Sequence, residues 1–359
     1  MQSQLTQFRE RIAAATATRT PLRLRGGGSK DWYGQEPRGD LLDTTPYSGI
    51  VAYEPTELVI TARCGTPLRE IEAALAQENQ MLAFEPPHFG PGATVGGMVA
   101  CGLSGPRRAA VGALRDFVLG AVLMDGHGEA LGFGGQVMKN VAGYDVSRLL
   151  AGSLGTLGLI LEVSLKVLPR PVAETTVRLQ MKQQQALDNL NRWGGKPLPL
   201  SASAWRDDVL AVRLSGAQAA VAAALRQIGG EVMDVAEADA YWQGLREQTD
   251  AFFTADQATP LWRLSVPSVA PASPNAGAQL IEWGGAQRWL RSAADPASVR
   301  ALAQELGGHA TLYRGGSRDA GDGGVFHPLA PAVHAIHRNL KHTFDPAGIF
   351  NPGRMYQDL

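Results

Sequence analysis

Three consecutive glycines stand directly after a short apolar run near the start of the chain. The run Pro21–Leu24 predicts a strand, and Gly26–Gly28 follow it after a single arginine. A turn without side chains lets successive backbone amides point at one oxyanion, and Ser29 and Lys30 add a hydroxyl and a cation at its rim. The loop therefore predicts a phosphate-binding turn, and a plain flexible turn is the alternative.

The residues after this loop exclude the two common nucleotide-binding motifs. A P-loop closes on Gly-Lys-Ser/Thr and opens a helix, whereas Asp31–Gly34 follows here. A Rossmann turn runs into an apolar helix, and no amphipathic helix follows Gly28. A phosphate site on this loop must therefore be completed by segments that lie far away in the sequence.

Two further glycine clusters can supply those segments. Pro91–Gly97 runs into the apolar stretch Met98–Cys101, so its glycines stand at the start of a predicted helix, where free amides and the helix dipole favour an anion. Gly152–Gly158 precedes a predicted strand, Leu159–Val167, which ends at a proline-rich break at 169–171.

Composition narrows the class of protein. A chain of 359 residues can hold two domains, and its net charge of -1 argues against a nucleic-acid binder. The two cysteines, Cys64 and Cys101, have no neighbours at metal-ligand spacing, so no metal site is expected. The polar N-terminus lacks a signal-peptide core, and no stretch reaches the ~20 apolar residues of a membrane span. We expect a cytoplasmic protein.

The hydrophobic spacing predicts several elements. Phe8, Ile12 and Ala15 mark a helix over the first ~16 residues, and Thr66-Pro67 begins a second helix with Thr66 as its cap. We also expect a strand at 81–84, a hairpin of 117–124 with 129–133, and a helix over 238–252. Between about 175 and 308, alternating short strands and helices indicate an antiparallel sheet with helices on one face.

Together these motifs resemble the FAD-binding domain of the vanillyl-alcohol-oxidase/p-cresol-methylhydroxylase (PCMH-type) flavoproteins. The resemblance rests on the three glycine clusters, on Lys139–Asp145 and on the closing run Phe344–Arg354, in the family's order. It implies an α+β fold with a PCMH-type FAD-binding domain of two α/β subdomains (1–172), a reduced antiparallel-sheet cap domain (173–310) and a C-terminal return (311–359).

The resemblance also implies the cofactor and its site. Ser29 and Lys30 stand where members with covalent flavin often carry a histidine, so FAD is expected to be non-covalent. Gly26–Ser29 and Thr94–Gly97 are expected at the diphosphate, Gly155–Ile160 along the adenosine half, and Asn351 near the flavin. The cofactor-binding candidates are Arg25, Gly26, Gly27, Gly28, Ser29, Lys30, Pro91, Gly92, Thr94, Val95, Gly96, Gly97, Gly102, Gly152, Gly155, Gly158, Leu159, Ile160 and Asn351.

Within the family, the short chain and the phrase Val325–Leu329 resemble FAD-binding subunits of glycolate-oxidising complexes. Such subunits work with a longer flavoprotein subunit and an iron–sulfur subunit, which implies peripheral association with the inner face of the plasma membrane. The substrate would be a small 2-hydroxy acid. His327 is the candidate acid–base and Arg263 the candidate carboxylate ligand. A structural hydrogen bond and a surface or ion-pair role are the respective alternatives.

The chain departs from its catalytic relatives on the substrate side. Those relatives carry a His-Ala-Gly-Asp-Gly-Asn-x-His segment, and residues 319–327 keep Gly-Asp-Gly and the last histidine but lack the first histidine and the asparagine. Three functions therefore remain open: a flavin subunit that passes electrons within a complex, a self-sufficient 2-hydroxy-acid (D-lactate-type) dehydrogenase, and a non-catalytic scaffold subunit.

Overall fold

The computed structural model describes residues 2–135, 145–318 and 323–359. The described chain forms two compact units. The first comprises 1–103, 113–169 and 328–359, and the second comprises 104–112 and 170–327. Two segments used in the resemblance fall wholly or partly outside the described residues: Lys139–Asp145, except for Asp145, and residues 319–322 of the histidine segment.

The helices are α1 (Gln2–Thr18), α2 (Leu68–Gln77), α3 (Val95–Cys101), α4 (Arg108–Val111), α5 (Val146–Leu149), α6 (Gln183–Gly194), α7 (Gln218–Ile228), α8 (Val235–Glu247), α9 (Ala251–Thr254), α10 (Pro296–Glu305) and α11 (Pro331–Phe344). Within the described ranges, no helix has both the length and the apolar character that crossing a membrane requires.

The strands are β1 (Leu22–Arg25), β2 (Asp40–Asp43), β3 (Ile50–Glu54), β4 (Val59–Arg63), β5 (Gln80–Met81), β6 (Val118–Met124), β7 (Ala130–Gly134), β8 (Leu159–Lys166), β9 (Leu168–Pro169), β10 (Ala173–Gln180), β11 (Leu200–Arg206), β12 (Val209–Gly216), β13 (Glu231–Val232), β14 (Leu261–Ser265), β15 (Ala278–Glu282), β16 (Gln287–Arg291) and β17 (His309–Arg314).

The first unit is built on a five-stranded antiparallel sheet in the order β3-β4-β8-β6-β7. β1 pairs in parallel with β2, and Leu22 also bridges Phe350 from the C-terminal segment. α1 buries Phe8, Ile12 and Ala15, as its spacing predicts. The hairpin is confirmed as well, because β6 and β7 pair across a turn in which the Asp125 carboxylate accepts the amides of His127 and Glu129.

Two local predictions in this unit are wrong. Thr66 does not cap α2, because its hydroxyl is engaged with the backbone N–H and C=O of Gly49, and Pro67 takes the cap position. The strand expected at 81–84 shrinks to the two residues of β5. The chain turns there because Phe84 is fully buried against Phe117, with ring centroids 5.2 Å apart.

The second unit is one eight-stranded antiparallel sheet in the order β13-β10-β12-β11-β15-β16-β14-β17. α6 and α7 bury Leu190 and Val221 against one face of the sheet. The expectation of helices on one face is wrong, because α8 places Trp242 on the other face. Its indole donates to the Thr176 hydroxyl at 2.8 Å, and Thr176 neighbours the inward-facing Val177.

The helix expected over 238–252 is instead two helices. The Asp234 carboxylate accepts the amides of Ala236 and Glu237 and begins α8. Gln248 adopts a left-handed backbone with φ 55° and ends it, and the Asp250 carboxylate then begins α9. The apolar spacing continues across this break, so spacing alone did not predict it.

Candidate functional site

A continuous groove in the first unit collects the glycine loops. It consists of two adjoining cavities whose shared lining comes from the end of β1, from α3, from the segment after α5 and from the C-terminal segment. The shared lining residues are Leu24, Arg25, Gly26, Gly97, Ala100, Leu154 and Asn351. Four stretches separated by up to about 300 residues thus meet at one cleft.

The triple-glycine loop offers its backbone amides to this groove. Among the described residues, no protein acceptor receives the amides of Gly26, Gly27, Gly28 or Ser29. The loop is fixed by other bonds: Asp31 N–H donates to Gly28 O at 3.2 Å, and the Trp32 indole donates to Ser29 O at 3.2 Å. Four consecutive donors on a fixed turn can bind an oxyanion without first breaking protein hydrogen bonds.

The second glycine cluster lies directly against the first. A Cβ built on Gly27 would stand 1.5 Å from Gly92 O, and one built on Gly26 would stand 2.3 Å from the Thr94 hydroxyl oxygen. The two loops therefore touch through their backbones, and side chains at Gly26 or Gly27 would separate them. Gly92 supports the floor of the groove from behind.

The expectation of free amides at the start of α3 is wrong. Gly96 N–H donates to Cys64 O at 2.8 Å, and Gly97 N–H donates to the Thr94 hydroxyl at 3.3 Å. Val95 N–H is also used, by Thr66 O. β4 ends at Arg63, so Cys64, the next residue, lies beside this turn. Its carbonyl oxygen accepts the Gly96 N–H, which the sequence pattern predicted to be free. The first loop, by contrast, keeps the amides of Gly26–Ser29 without a protein acceptor among the described residues.

Cationic side chains surround those donors. Arg25 lines both cavities and forms a 2.6 Å ion pair with Asp31. Lys30 is 8% exposed, and its ammonium donates to His88 O at 3.1 Å and lies 5.5 Å from the centre of the Phe89 ring. Arg354, 7% exposed, donates to Asp31 O at 2.7 Å. This region favours a negatively charged group.

The third glycine segment is attached to α3. Gly152 N–H donates to Val99 O at 2.9 Å and Leu154 N–H to Ala100 O at 2.8 Å. From this attachment the chain continues through Gly155 and Gly158 to Ile160, all three of which line the second cavity. A Cβ on Gly155 would stand 2.8 Å from the Asn351 amide nitrogen, so this glycine permits the close approach of the C-terminal segment.

Asn351 connects three parts of the groove. Its side-chain oxygen accepts Leu24 N–H at 2.8 Å, and its amide nitrogen donates to Leu154 O at 2.7 Å. Its backbone N–H donates to Leu22 O at 2.9 Å, and its φ of 40° suits asparagine better than most residues. Asn351 thus fixes β1 and the third glycine segment at the spacing the groove requires.

The structure brings most of the sequence candidates together. Those lining the groove are Arg25, Gly26, Gly27, Gly28, Ser29, Lys30, Thr94, Gly96, Gly97, Gly155, Gly158, Leu159, Ile160 and Asn351. Those outside its lining are Pro91, Gly92, Val95, Gly102 and Gly152. Gly102, for example, ends α3 with φ 63° and lies against Gly152.

Several lining residues were not singled out from the sequence as cofactor ligands. They are Leu24, Asp31, Thr44, Cys64, Ala100, Cys101, Leu154 and Arg354. Arg354 had a signal, since it closes the Asn-Pro-Gly-Arg run after Asn351. No sequence pattern marked Thr44 or Cys64. They follow β2 and β4, and the pairing of these strands with distant segments places them at the groove.

The reactivity of the Cys101 thiol reports how far the groove excludes water. Burial raises the pKa of its thiol to about 11, and the charges of Lys30 and Arg354 oppose that rise. At pH 8 only about a thousandth of the thiol is then thiolate, so we expect iodoacetamide to alkylate it on the order of a hundredfold more slowly than free cysteine. Alkylation followed by intact mass, with Cys101→Ser identifying the site, checks this. Rapid stoichiometric labelling at neutral pH would contradict it.

The substrate-side candidates lie in the second unit. Arg263 is on β14, with its guanidinium 5.5 Å from the centre of the Tyr313 ring. His327 is half-buried beside the edge strand β17. Its Nε2 is 3.1 Å from Gln304 Nε2, and its Nδ1 is 3.4 Å from Ala310 N. These contacts favour the structural alternative for His327.

His309 is a neighbour that sequence reasoning missed. Its ring lies 6.3 Å from that of His327 between centroids, and its β17 position pairs with Ser265, two residues from Arg263. Burial and the Arg263 charge lower its pKa, and burial, His309 and Arg300 lower that of His327. Both shifts favour the neutral form of the imidazole.

Arg288, another arginine suited to a carboxylate, is excluded from that role. Its guanidinium is buried and donates to the carbonyls of Ala270 and Pro271, both at 2.6 Å, and of Gly285 at 3.3 Å. In the described part of the chain no cluster of His, Cys, Asp and Glu side chains could hold a metal ion, and both cysteines are free thiols.

The groove fits FAD by its own chemistry. Four amides without a protein acceptor in the described part of the chain lie beside Arg25, Lys30 and Arg354 and suit a diphosphate, and the glycine floor allows its close approach. Residues 3–134 match the family described as FAD binding domain.

Two glycolate oxidase subunits are similar to this chain, one over nearly all of it and one over less than half. It is 49% identical over 350 residues to the glycolate oxidase subunit GlcE of Escherichia coli, covering 98% of this chain and 97% of that protein. It is 31% identical over 162 residues to the glycolate oxidase subunit GlcD of Bacillus subtilis, covering 44% of this chain and 34% of that protein.

Solved structures share its fold. An alkyldihydroxyacetonephosphate synthase superposes with a TM-score of 0.67 at 15% identity, over 96% of this chain and 73% of that chain. The fold is therefore α+β, with a PCMH-type FAD-binding domain and an antiparallel-sheet unit. FAD is its cofactor. The chain belongs to the family of the glycolate oxidase subunit GlcE.

Proposed function

We propose that this chain is the FAD-carrying subunit of a glycolate-oxidising complex. It takes part in the oxidation of a 2-hydroxy acid, glycolate, to the 2-oxo acid glyoxylate, and the electrons leave through a partner. The observation that carries the proposal is the groove, where four amides lack an acceptor among the residues that the structure describes, in a chain 49% identical over 98% of its length to a glycolate oxidase subunit.

In this proposal the first loop holds the FAD diphosphate non-covalently. The amides of Gly26–Ser29 donate to it, while Arg25 and Lys30 balance its charge. The edge formed by Gly155–Ile160 lies along the adenosine half, and Asn351 keeps that edge in place. FAD, when bound, supplies the hydride acceptor that the side chains of a protein lack.

On the substrate side, Arg263 supplies a cation for the carboxylate of the 2-hydroxy acid. His327 is the proposed acceptor of the hydroxyl proton, a role that requires one ring nitrogen to give up its present contact with Gln304 or Ala310. His309 shares this environment and is the second candidate for that proton. Mutation of Arg263 tests this role, because electron transfer alone requires no cation at a substrate carboxylate.

In this proposal a partner, a quinone or another acceptor takes the electrons, and the described residues form no metal or cluster site that could do so. The proposed partners are a longer flavoprotein subunit and an iron–sulfur subunit. The name of the Escherichia coli relative, a subunit of glycolate oxidase, supports an assembly of several chains. The proposed location is the cytoplasm, with the complex at the inner face of the plasma membrane.

The decisive experiment begins with the purified chain and FAD. We expect a saturable flavin spectrum that glycolate does not bleach until the partner subunits are added, because residues 319–327 lack part of the relatives' substrate segment, so Arg263 and His327 alone do not complete a substrate site. Bleaching by glycolate or D-lactate with this chain alone would instead establish the self-sufficient dehydrogenase. Absence of flavin binding under any condition would contradict the proposal and leave the scaffold function.

A further inference from the structure

A buried lysine lies behind the groove without lining it. Lys341 is on α11, is 8% exposed, and donates three hydrogen bonds from its ammonium. The acceptors are Thr156 O at 2.8 Å, Asp345 Oδ2 at 2.7 Å and Phe350 O at 2.7 Å. All three N–H donors of the ammonium therefore have an acceptor, and the acceptors come from two segments distant in sequence.

Its partner Asp345 organises the turn that follows α11. The carboxylate is 1% exposed, and it accepts Ile349 N–H at 3.0 Å and Phe350 N–H at 2.7 Å in addition to the ammonium. The backbone at 349–350 is thereby folded back onto the end of the helix. This turn places Asn351, the next residue, between Leu24 and Leu154.

Lys341 consequently holds two segments that form the groove. Through Thr156 it holds the third glycine segment, whose Gly155 and Gly158 line the second cavity. Through Phe350 it holds the C-terminal turn, and Phe350 bridges Leu22 at the start of β1. One side chain thus fixes the relative positions of two walls of the groove.

Stability alone is a poor explanation for this ion pair. Burial lowers the pKa of the Lys341 ammonium, which means that the charged form loses hydration there, and Asp345 only partly compensates. Apolar residues of similar volume often stabilise a core as well as or better than a buried ion pair does. What they lack is the ability to hold three carbonyl and carboxylate oxygens at fixed positions.

We propose that Lys341 is a positioning residue for FAD binding, which clamps the Thr156 segment and the Phe350–Asn351 turn at the spacing that the groove requires. The inference rests on the proposed FAD groove. It concerns the residues that shape the groove, and Lys341 itself does not line it.

The test compares Lys341→Met with Arg107→Met in the full-length chain. Arg107 is a matched control: it is 6% exposed and pairs with Glu174 at 2.6 Å, in the second unit. Titration with FAD, followed by quenching of flavin fluorescence, should show Kd raised about 10- to 100-fold by Lys341→Met, the equivalent of one or two lost charged hydrogen bonds. Arg107→Met should change Kd less than about threefold.

Hydrogen exchange of the unmodified chain, with and without FAD, supplies a readout that does not require any variant to fold. By reciprocity, FAD bound to the unmodified chain should slow exchange in peptides covering 341–351 as well as in the glycine loops. Lys341→Met should abolish that remote protection. Lys341→Gln, which keeps two donors, replaces Lys341→Met if the latter does not fold.

The outcomes separate the two levels of inference. If the unmodified chain binds no FAD, the proposed function fails. If it binds FAD but residues 341–351 gain no protection, the positioning inference fails while the function stands. Equal weakening by Lys341→Met and Arg107→Met would also overturn it, since a general loss of stability would then account for both.

Discussion

Gly27→Ala is expected to abolish FAD binding. The added Cβ would stand 1.5 Å from Gly92 O and 2.4 Å from its carbonyl carbon, so two backbones rather than flexible side chains would have to separate. Such displacement costs about 1–3 kcal/mol or more, and here it opens the floor of the groove. We expect FAD affinity to fall at least about a hundredfold, measured by FAD content after purification and by titration of flavin fluorescence.

Gly132→Ala is the matched control for this experiment. Gly132 is on β7 in the same unit, and an added Cβ there meets no atom within 4 Å. The same chemical change should leave FAD content and thermal unfolding close to those of the unmodified chain. Normal FAD binding by Gly27→Ala would show that the two glycine loops can part without loss of the site, contrary to the packing described above.

Local patterns predicted those parts of the site that are local. The spacing of Phe8, Ile12 and Ala15 predicted α1, and the run Gly26–Gly28 predicted a turn with available amides. Both features depend on residues within a few positions of one another. The sequence could therefore indicate an anion-binding loop before any contact was known.

Features that depend on distant pairing were not predictable in this way. Gly96 loses its free amide to Cys64, which lies 32 positions earlier and approaches only because β4 ends there. The buried role of Lys341 was also hidden. A lysine among polar neighbours on an amphipathic helix is typical of a solvated face, and its partner Thr156 is 185 positions away.

Strand β16 shows how buried charge conceals a strand. Its sequence, Gln287–Arg291, contains two arginines, although every one of its residues is buried. Arg288 and Arg291 are accommodated because carbonyls at Ala270 and Phe253 accept their guanidinium groups. Ala270 lies in a loop and Phe253 in the short helix α9, both distant from β16 in sequence, so the strand's own hydrophobicity pattern does not predict it.

Asn351→Leu is expected to be the most damaging change at the C-terminal wall of the groove. Leucine has a similar volume but leaves Leu24 N–H and Leu154 O without their present partners. Each such buried group costs about 1–3 kcal/mol, so the loss of stability should be roughly 2–6 kcal/mol. The left-handed φ of 40° adds strain for leucine. Thermal unfolding and FAD titration measure the two effects.

Two companion variants identify the cause. Asn351→Asp keeps the acceptor for Leu24 but loses the donor to Leu154 and places a negative charge at a 6% exposed position, so it should also weaken FAD binding. Asn339→Leu makes the same replacement as Asn351→Leu at an exposed site of α11, and it should leave both measurements within experimental error. Stability of Asn351→Leu within ~1 kcal/mol of the unmodified chain would mean that the two hydrogen bonds do not connect β1 to the third glycine segment, because their loss should cost more than that.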